Sequence, residues 1–205
     1  MSNRNMLVHG VGINDLKGAS NTTAYRIWRN MLKRCYCPKY HVTRPTYKGC
    51  TVCCDWLVFS SFKRWFDKHY VLNFELDKDL LVAGNKQYAP ENCRFVPARI
   101  NSLLGDSKAI RGSLPTGVAL HGKSYRAYCT IDGMQHYFGT HDTVLDALRA
   151  YSKAKLSNVK RVCNEEYING NIQLDLHDSI IEQCRDLLVA NLREVDASYQ
   201  QPVVH

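Results

Sequence analysis

What the chain lacks narrows it first. No apolar run approaches the roughly 18 residues that a membrane span needs, and the opening MSNRNMLVHGVGINDLKG has no apolar block of the kind a secretory leader carries. The expectation is a soluble, intracellular protein with no membrane partner. Paired CxxC modules are missing as well: nine cysteines are present, and CTVCC at 50–54 is a loose CxxC at best. An odd count without a leader points to thiols or metal ligands rather than to structural disulfides. Acidic charge is scarce in the first 163 residues, 11 Asp and Glu against 25 Lys and Arg, and basic charge is scarce beyond them, 2 against 8. The net +8 is therefore a body of +14 and a tail of −6. A basic body attracts a phosphate backbone by counterion release and steering. Basic charge accompanies many functions, so sites have to decide.

The 205 residues, 45% hydrophobic and 22% charged, are globular in composition and suffice for one large or two small domains. In TTAYRIWRNMLKRC, Ala24, Trp28, Met31, Leu32 and Cys35 recur on one helical face, with Arg26, Arg29, Asn30, Lys33 and Arg34 on the other. Ser20, Asn21 and Thr22 are candidate caps for that helix. CPKYHVTRPTYKGC reads as a loop punctuated by Pro38, Pro45 and Gly49. WLVFSSFKRWFDK then places Trp56, Phe59, Phe62, Trp65 and Phe66 at helix-like intervals, as core packed on the first helix.

From Asn73 the pattern changes. NFELD is a short strand, KDLLVAGNKQY a long connection, CRFV a second strand, and PARINSLL a helix opening on proline. WRNMLKRCYCPKY, RPTYKGCTVCCDWLVFSSFKRWF and LDKDLLVAGNKQYAPENCRFVPARIN together resemble the HNH endonuclease family, in its phage form, over roughly residues 25 to 104. The resemblance implies a ββα-metal core within an α+β fold. It also implies a phosphodiester hydrolase in which Mg²⁺ or Mn²⁺ neutralises charge on the scissile phosphate. The nine-residue step from Asn92 to Asn101 fits the family's spacing, so those roles are carried to Asn92 and Asn101; Asp77, at the strand end, takes the ligand position beside Asn101.

The departure is a histidine. None lies between Leu76 and Asn101, where the family places its general base. Asp77 is a candidate ligand, and Asp79 a second ligand or the activator of metal-bound water, whose pKa the ion itself lowers. His41 and His69 lie outside the motif. The plainer alternatives are that Asp77, Lys78 and Asp79 form a solvated turn, or that the centre has decayed and still binds DNA. Cys35, His41, Cys53 and Cys93 make one candidate set for structural Zn²⁺; Cys35 equally suits an apolar seam.

Past the polar GDSKAIRGSLP, a second pattern begins. TGVALHGKSYRAYCTIDGMQHYFGTHDTVLDALRAYSKAKLSN contains two or three alternating strands, a turn at Asp132-Gly133 and a helix from near Thr143 with Val144, Ala147, Leu148, Tyr151 and Leu156 as its stripe. Through Gly117-Val118, GKSYRAY, YFGTHDT and ALRAYSKAK it resembles the APETALA-type (ethylene-response-factor) DNA-binding domain. That family lays its sheet in the major groove of double-stranded DNA. Strand alternation turns Ala127, Cys129 and Ile131 toward the helix and leaves Arg126, Tyr128 and Thr130 outward, joined by Gln135 and Tyr137, with Lys123 suited to phosphate. HDSIIEQCRDLLVANLREV is an acidic amphipathic helix capped by Asp178, either packed on the body or pairing two chains as a homodimer.

The expected organisation is an HNH-like module over 1–106, an APETALA-type domain over 107–163 and an acidic helix and tail over 164–205. The expected function is a metal-dependent DNA endonuclease of the phage homing type, acting in the host cytoplasm. The alternative is a non-catalytic DNA-binding or regulatory phage protein on the same scaffold.

Overall fold

The structure is a computed structural model that describes residues 7–105 and 114–200. It is mixed α+β, with more helix than strand and sheets of two or three strands. Two compact units divide the chain, Met1–Ala98 and Arg99–His205. The boundary expected at 106/107 lies outside the described residues.

The first unit is built around helix α1, Thr23–Tyr36. Thr22 caps it: its Oγ1 accepts the Tyr25 N–H at 3.2 Å, satisfying one of the donors that a helix start leaves over. The buried face is Ala24, Trp28, Met31, Leu32 and Cys35, the face the sequence period selects. Lys39–Thr43 is not loop, as the sequence suggested: a short helix α2, Pro38–Thr43, starts on Pro38, whose missing N–H costs nothing at a first helical position. A 3-10 turn, Cys54–Leu57, carries Trp56 into helix α3, Phe59–His69, which buries Phe59, Phe62 and Phe66.

These aromatics are locked together. The Trp28 indole N–H donates to the Trp56 carbonyl at 2.6 Å inside the core, and Phe59 stacks obliquely on Trp28 at 5.3 Å. Residues Val8–Gly12 form a tight turn whose return strand pins Ile13 between the Leu57 carbonyl at 2.8 Å and the Phe59 N–H at 2.9 Å. No side chain of α3's own entry caps it; Asp15 does so from outside, its Oδ1 accepting the Ser60 N–H at 2.9 Å.

Strands β1 (Thr51–Val52) and β3 (Gln87–Tyr88) pair in parallel, and β2 (Phe74–Asp77) pairs antiparallel with β4 (Arg94–Pro97). β4 leads straight into a single helical turn, α4, Ala98–Asn101. Pro97 thus ends the strand, where sequence placed it inside the helix start. The unit division falls within α4, so Asn101 belongs to the second unit.

In the second unit β5 (Val118–His121), β6 (Ser124–Ile131) and β7 (Met134–His141) form an antiparallel sheet in that order. Two-residue turns join them. Gly122 has φ +61°, while Asp132 and Gly133 have φ +49° and +80°, the pair of left-handed residues that matches strand twist. Helix α5, Val144–Ile168, opens on a reciprocal cap in which Thr143 Oγ1 accepts the Asp146 N–H and donates to its carboxylate. It runs through Cys163 without a break, so the 163/164 division expected from sequence falls inside a helix. Helix α6, Leu174–Gln200, packs back on α5 through Leu176, Ile180, Cys184 and Leu188. It begins before Asp178, so Asp178 is not its cap; the carboxylate instead meets His177 Nδ1 at 2.7 Å.

Gly12 is where the first unit tolerates no side chain. A Cβ there would stand inside contact with Leu32 Cδ1 and 2.9 Å from Trp28 Cη2. Gly12→Ala is expected to destabilise the fold by about 1–3 kcal/mol through overpacking, read as a lower urea midpoint; an unchanged midpoint would refute this packing.

Candidate metal centre and nucleic-acid interface

Asp77 ends β2 opposite Arg94 of β4. The chain must turn sharply there, and the Asp77 carboxylate organises the turn: Oδ1 accepts the N–H groups of Asp79 at 2.8 Å and Leu80 at 2.7 Å. Lys78 points the other way, into the body, at 5% exposure. Its ammonium donates to Asp79 Oδ2 at 2.7 Å and to the Asn85 carbonyl at 3.0 Å, and lies 5.8 Å from the Tyr88 ring centroid. Asn85 closes the loop from the far side, its Nδ2 donating to the carbonyls of Lys78 at 2.6 Å and Gln87 at 2.7 Å. The long connection is thus a stapled loop, with both carboxylates engaged by its own backbone and its buried lysine.

The electrostatics follow from burial. Withdrawal from water and the Asp79 charge beside it push the Asp77 carboxyl up to about 6, against the pull of its two N–H donors. Burial opposes the charge on Lys78, but the Asp79 carboxylate outweighs it and holds that pKa above the ordinary lysine value. Nearby, burial raises the Cys35 and Cys93 thiols to about 12.

The remaining expected residues are dispersed. Asn92 is half-buried in the turn before β4, its N–H donating to the Ala89 carbonyl at 3.1 Å. Asn101 ends α4 in the second unit. Of the candidate zinc set, Cys35 sits in the α1 seam, Cys93 is fully buried and Cys53 half-buried, while His41 Nε2 donates to the Arg34 carbonyl at 2.8 Å and so closes the end of α1. Among the described residues no group of three or more His, Cys, Asp and Glu stands where it could hold a metal ion. Asp77 and Asp79 offer hard oxygen donors of the type Mg²⁺ and Mn²⁺ take. His69, stacked on Trp65 at 4.6 Å, donates from Nδ1 to the Trp65 carbonyl and stays with α3.

The sheet of the second unit gathers its expected residues on one face. Ala127 and Cys129 are buried toward α5, which leaves Arg126, Tyr128 and Thr130 on the opposite face, with Thr130 paired to Gln135 and Tyr128 to Tyr137. The Tyr128 and Tyr137 rings lie 5.7 Å apart, and the Arg126 guanidinium lies 5.8 Å from the Tyr137 ring centroid. Lys123 is exposed in the β5–β6 turn.

No family model matches the chain, and no curated protein or solved structure does.

Two members of that sheet face escaped sequence reading. His121 Nε2 accepts from Arg126 Nη2 at 2.8 Å, which orients the guanidinium. Thr140 meets Tyr137 hydroxyl to hydroxyl at 2.7 Å. A register shift between Arg126 and Tyr128, with Gly139 at φ +107°, brings Thr140 opposite Arg126. Simple alternation along β7 would have chosen Gly139. Lys78 was read only as part of a solvated turn, and Asn85 went unmarked, because nothing local distinguishes a buried lysine from a surface one.

The raised Asp77 carboxyl sets a pH dependence. Between its ordinary value of 3.8 and about 6 the folded chain binds the proton that the unfolded chain releases, so this group weakens the fold as pH rises through that window. Asp77→Asn keeps an acceptor for Asp79 and Leu80 but cannot ionise. In EDTA, urea unfolding is expected to show the variant more stable than wild type near neutral pH, with the gap closing in acid. A gap that does not vary with pH would contradict this reading.

Proposed function

We propose that the protein binds double-stranded DNA through the outer face of the β5–β7 sheet. The observation that carries this reading is the single surface formed by Arg126, Tyr128, Thr130, Gln135 and Tyr137, backed by α5. It combines a guanidinium already aimed by His121, aromatic rings and hydrogen-bonding side chains. A sheet of this kind is an element that major grooves admit, and Arg and Gln are the side chains that read guanine and adenine edges there. Lys123 in the adjoining turn supplies a phosphate contact. The likeness to the APETALA-type domain supports the same assignment.

A second reading adds cleavage. It rests on the half-buried carboxyl of Asp77 at the end of β2, in an antiparallel pair that runs directly into a helical turn. With the HNH likeness, that arrangement supports a divalent-metal endonuclease in which Asp77 ligates Mg²⁺ or Mn²⁺. Bound there, the ion would activate water and neutralise charge on the phosphate. Asp79 and Lys78 hold the turn in place; Asn92 and Asn101 enter through the likeness alone. No membrane partner is proposed, and no described helix is long and apolar enough to cross one. Pairing of two chains through α6 rests on its exposed Leu174, Leu187 and Val189.

Two experiments separate these readings. Arg126→Gln is expected to cost about 1–3 kcal/mol of affinity on a selected duplex and to relax preference at one base pair; equal affinity for all sequences in wild type and variant would defeat the groove-reading assignment. Supercoiled plasmid with Mg²⁺ or Mn²⁺ is expected to be nicked by wild type and not by Asp77→Ala or Asn101→Ala. Wild type that binds but never nicks would leave DNA binding standing and remove the enzyme.

A further inference from the structure

The first unit carries a charge imbalance that its own folding does not use. From Leu7 to Cys54 the sequence holds eight Lys and Arg and one carboxylate, Asp15. That carboxylate is engaged with the Ser60 N–H at the start of α3. Arg34 is turned inward, its guanidinium over the Tyr47 ring and donating to the Tyr88 hydroxyl. Arg26, Arg29 and Lys33 remain exposed along the outer face of α1, and among the described residues none of the three enters an ion pair. Lys33 is steadied 5.1 Å from the Tyr40 ring centroid, a contact that orients an ammonium without neutralising it.

The Val8–Gly12 turn lies on this helix, since Gly12 abuts Trp28 and Leu32, and it brings His9 beside the same cations. His9 is held at φ +51°, with Nε2 buried and without a partner. Burial, then Arg29 and Lys33, keep its pKa below the ordinary histidine value, as an uncompensated positive field would.

We propose that the outer face of α1, through Arg26, Arg29 and Lys33 with His9 alongside, is a second nucleic-acid contact that grips the phosphodiester backbone of duplex DNA. This rests on the DNA-binding reading and adds to it a surface in the other unit. From Arg26 to Lys33 the helix rises about 10 Å, a length over which one strand of B-DNA presents about three phosphates. Three cations therefore meet about three charges. The contact carries no base information and supplies affinity independent of sequence. A lipid surface fits less well: an interfacial helix inserts its apolar side, whereas the apolar side of α1 is consumed by the core, with Trp28 and Leu32 fully buried.

The test is a salt titration of the full chain on a fluorescent duplex, comparing wild type, R29Q/K33Q and R126Q. Both α1 side chains are exposed, so the double variant is expected to fold as wild type does. Removing two phosphate contacts is expected to make the slope of log K against log salt shallower by about 2, on specific and nonspecific duplex alike, while R126Q mainly lowers discrimination. Parallel slopes for wild type and R29Q/K33Q, with DNA still bound, overturn this inference and leave the sheet assignment intact. Absence of DNA binding by wild type overturns both. Vesicles of phosphatidylserine in phosphatidylcholine, captured by wild type but not by R29Q/K33Q while DNA is ignored, would assign the face to lipid and overturn it as well.

Discussion

The indole N–H of Trp28 and the carbonyl of Trp56 meet at 2.6 Å where no water reaches, and the first unit is arranged so that they can. An indole nitrogen buried without an acceptor would cost a few kcal/mol, so α1 and the turn before α3 are held at one separation and one rotation. Gly12 then has to be a glycine, because the N-terminal turn crosses the ring face. Ile13, pinned between Leu57 and Phe59, and Asp15, capping α3, follow from that crossing. Removing the acceptor geometry would loosen three segments whose ring packing and backbone bonds are set around it.

Against this rigid aromatic body, the loop after β2 is held by polar contacts. Lys78 is withdrawn from water, and a buried ammonium is tolerable only with its hydrogen bonds filled. Asp79, the Asn85 carbonyl and the Tyr88 ring supply that environment. The same contacts fix the backbone on which Asp77 sits. A carboxyl kept partly protonated near pH 6 and a neighbour tied to a cation are features of a tuned polar site, and structural networks produce them too. The second unit is braced likewise: the buried Glu166 accepts from Arg99 at 3.1 Å and from Asn171 at 2.7 Å, while Arg161 joins Glu165 to Asp132 at the β6–β7 turn.

Sequence made the periodic parts legible. The five buried residues of α1, the inward Ala127 and Cys129, the Asp132-Gly133 turn and the stripe of α5 each declare themselves within a dozen residues, because burial imposes a local period. What escaped depends on partners far along the chain. β1 and β3 are two residues each and exist only through one another; Asp15 reaches Ser60 across 45 residues; α6 packs on α5 from a start that lies before Asp178. The candidate site divides in the same way. Asp77 was visible as a strand-end carboxylate, but Lys78, whose buried ammonium holds the neighbouring Asp79 carboxylate, looks from sequence like any surface lysine.

The irregularity at Gly139 has a consequence for how β7 varies. Ahead of it the odd-numbered residues Gln135 and Tyr137 face outward; beyond it Thr140 does, so the strand is written in two reading frames joined at one glycine. Substitutions on either side alter one surface at a time. Deleting Gly139 would remove the extra residue and merge the two frames, with Thr140 still opposite Arg126 and His141 still opposite Tyr125. The glycine is therefore the one place at this junction where β7 can shorten by a residue and keep the same side chains on the outer face.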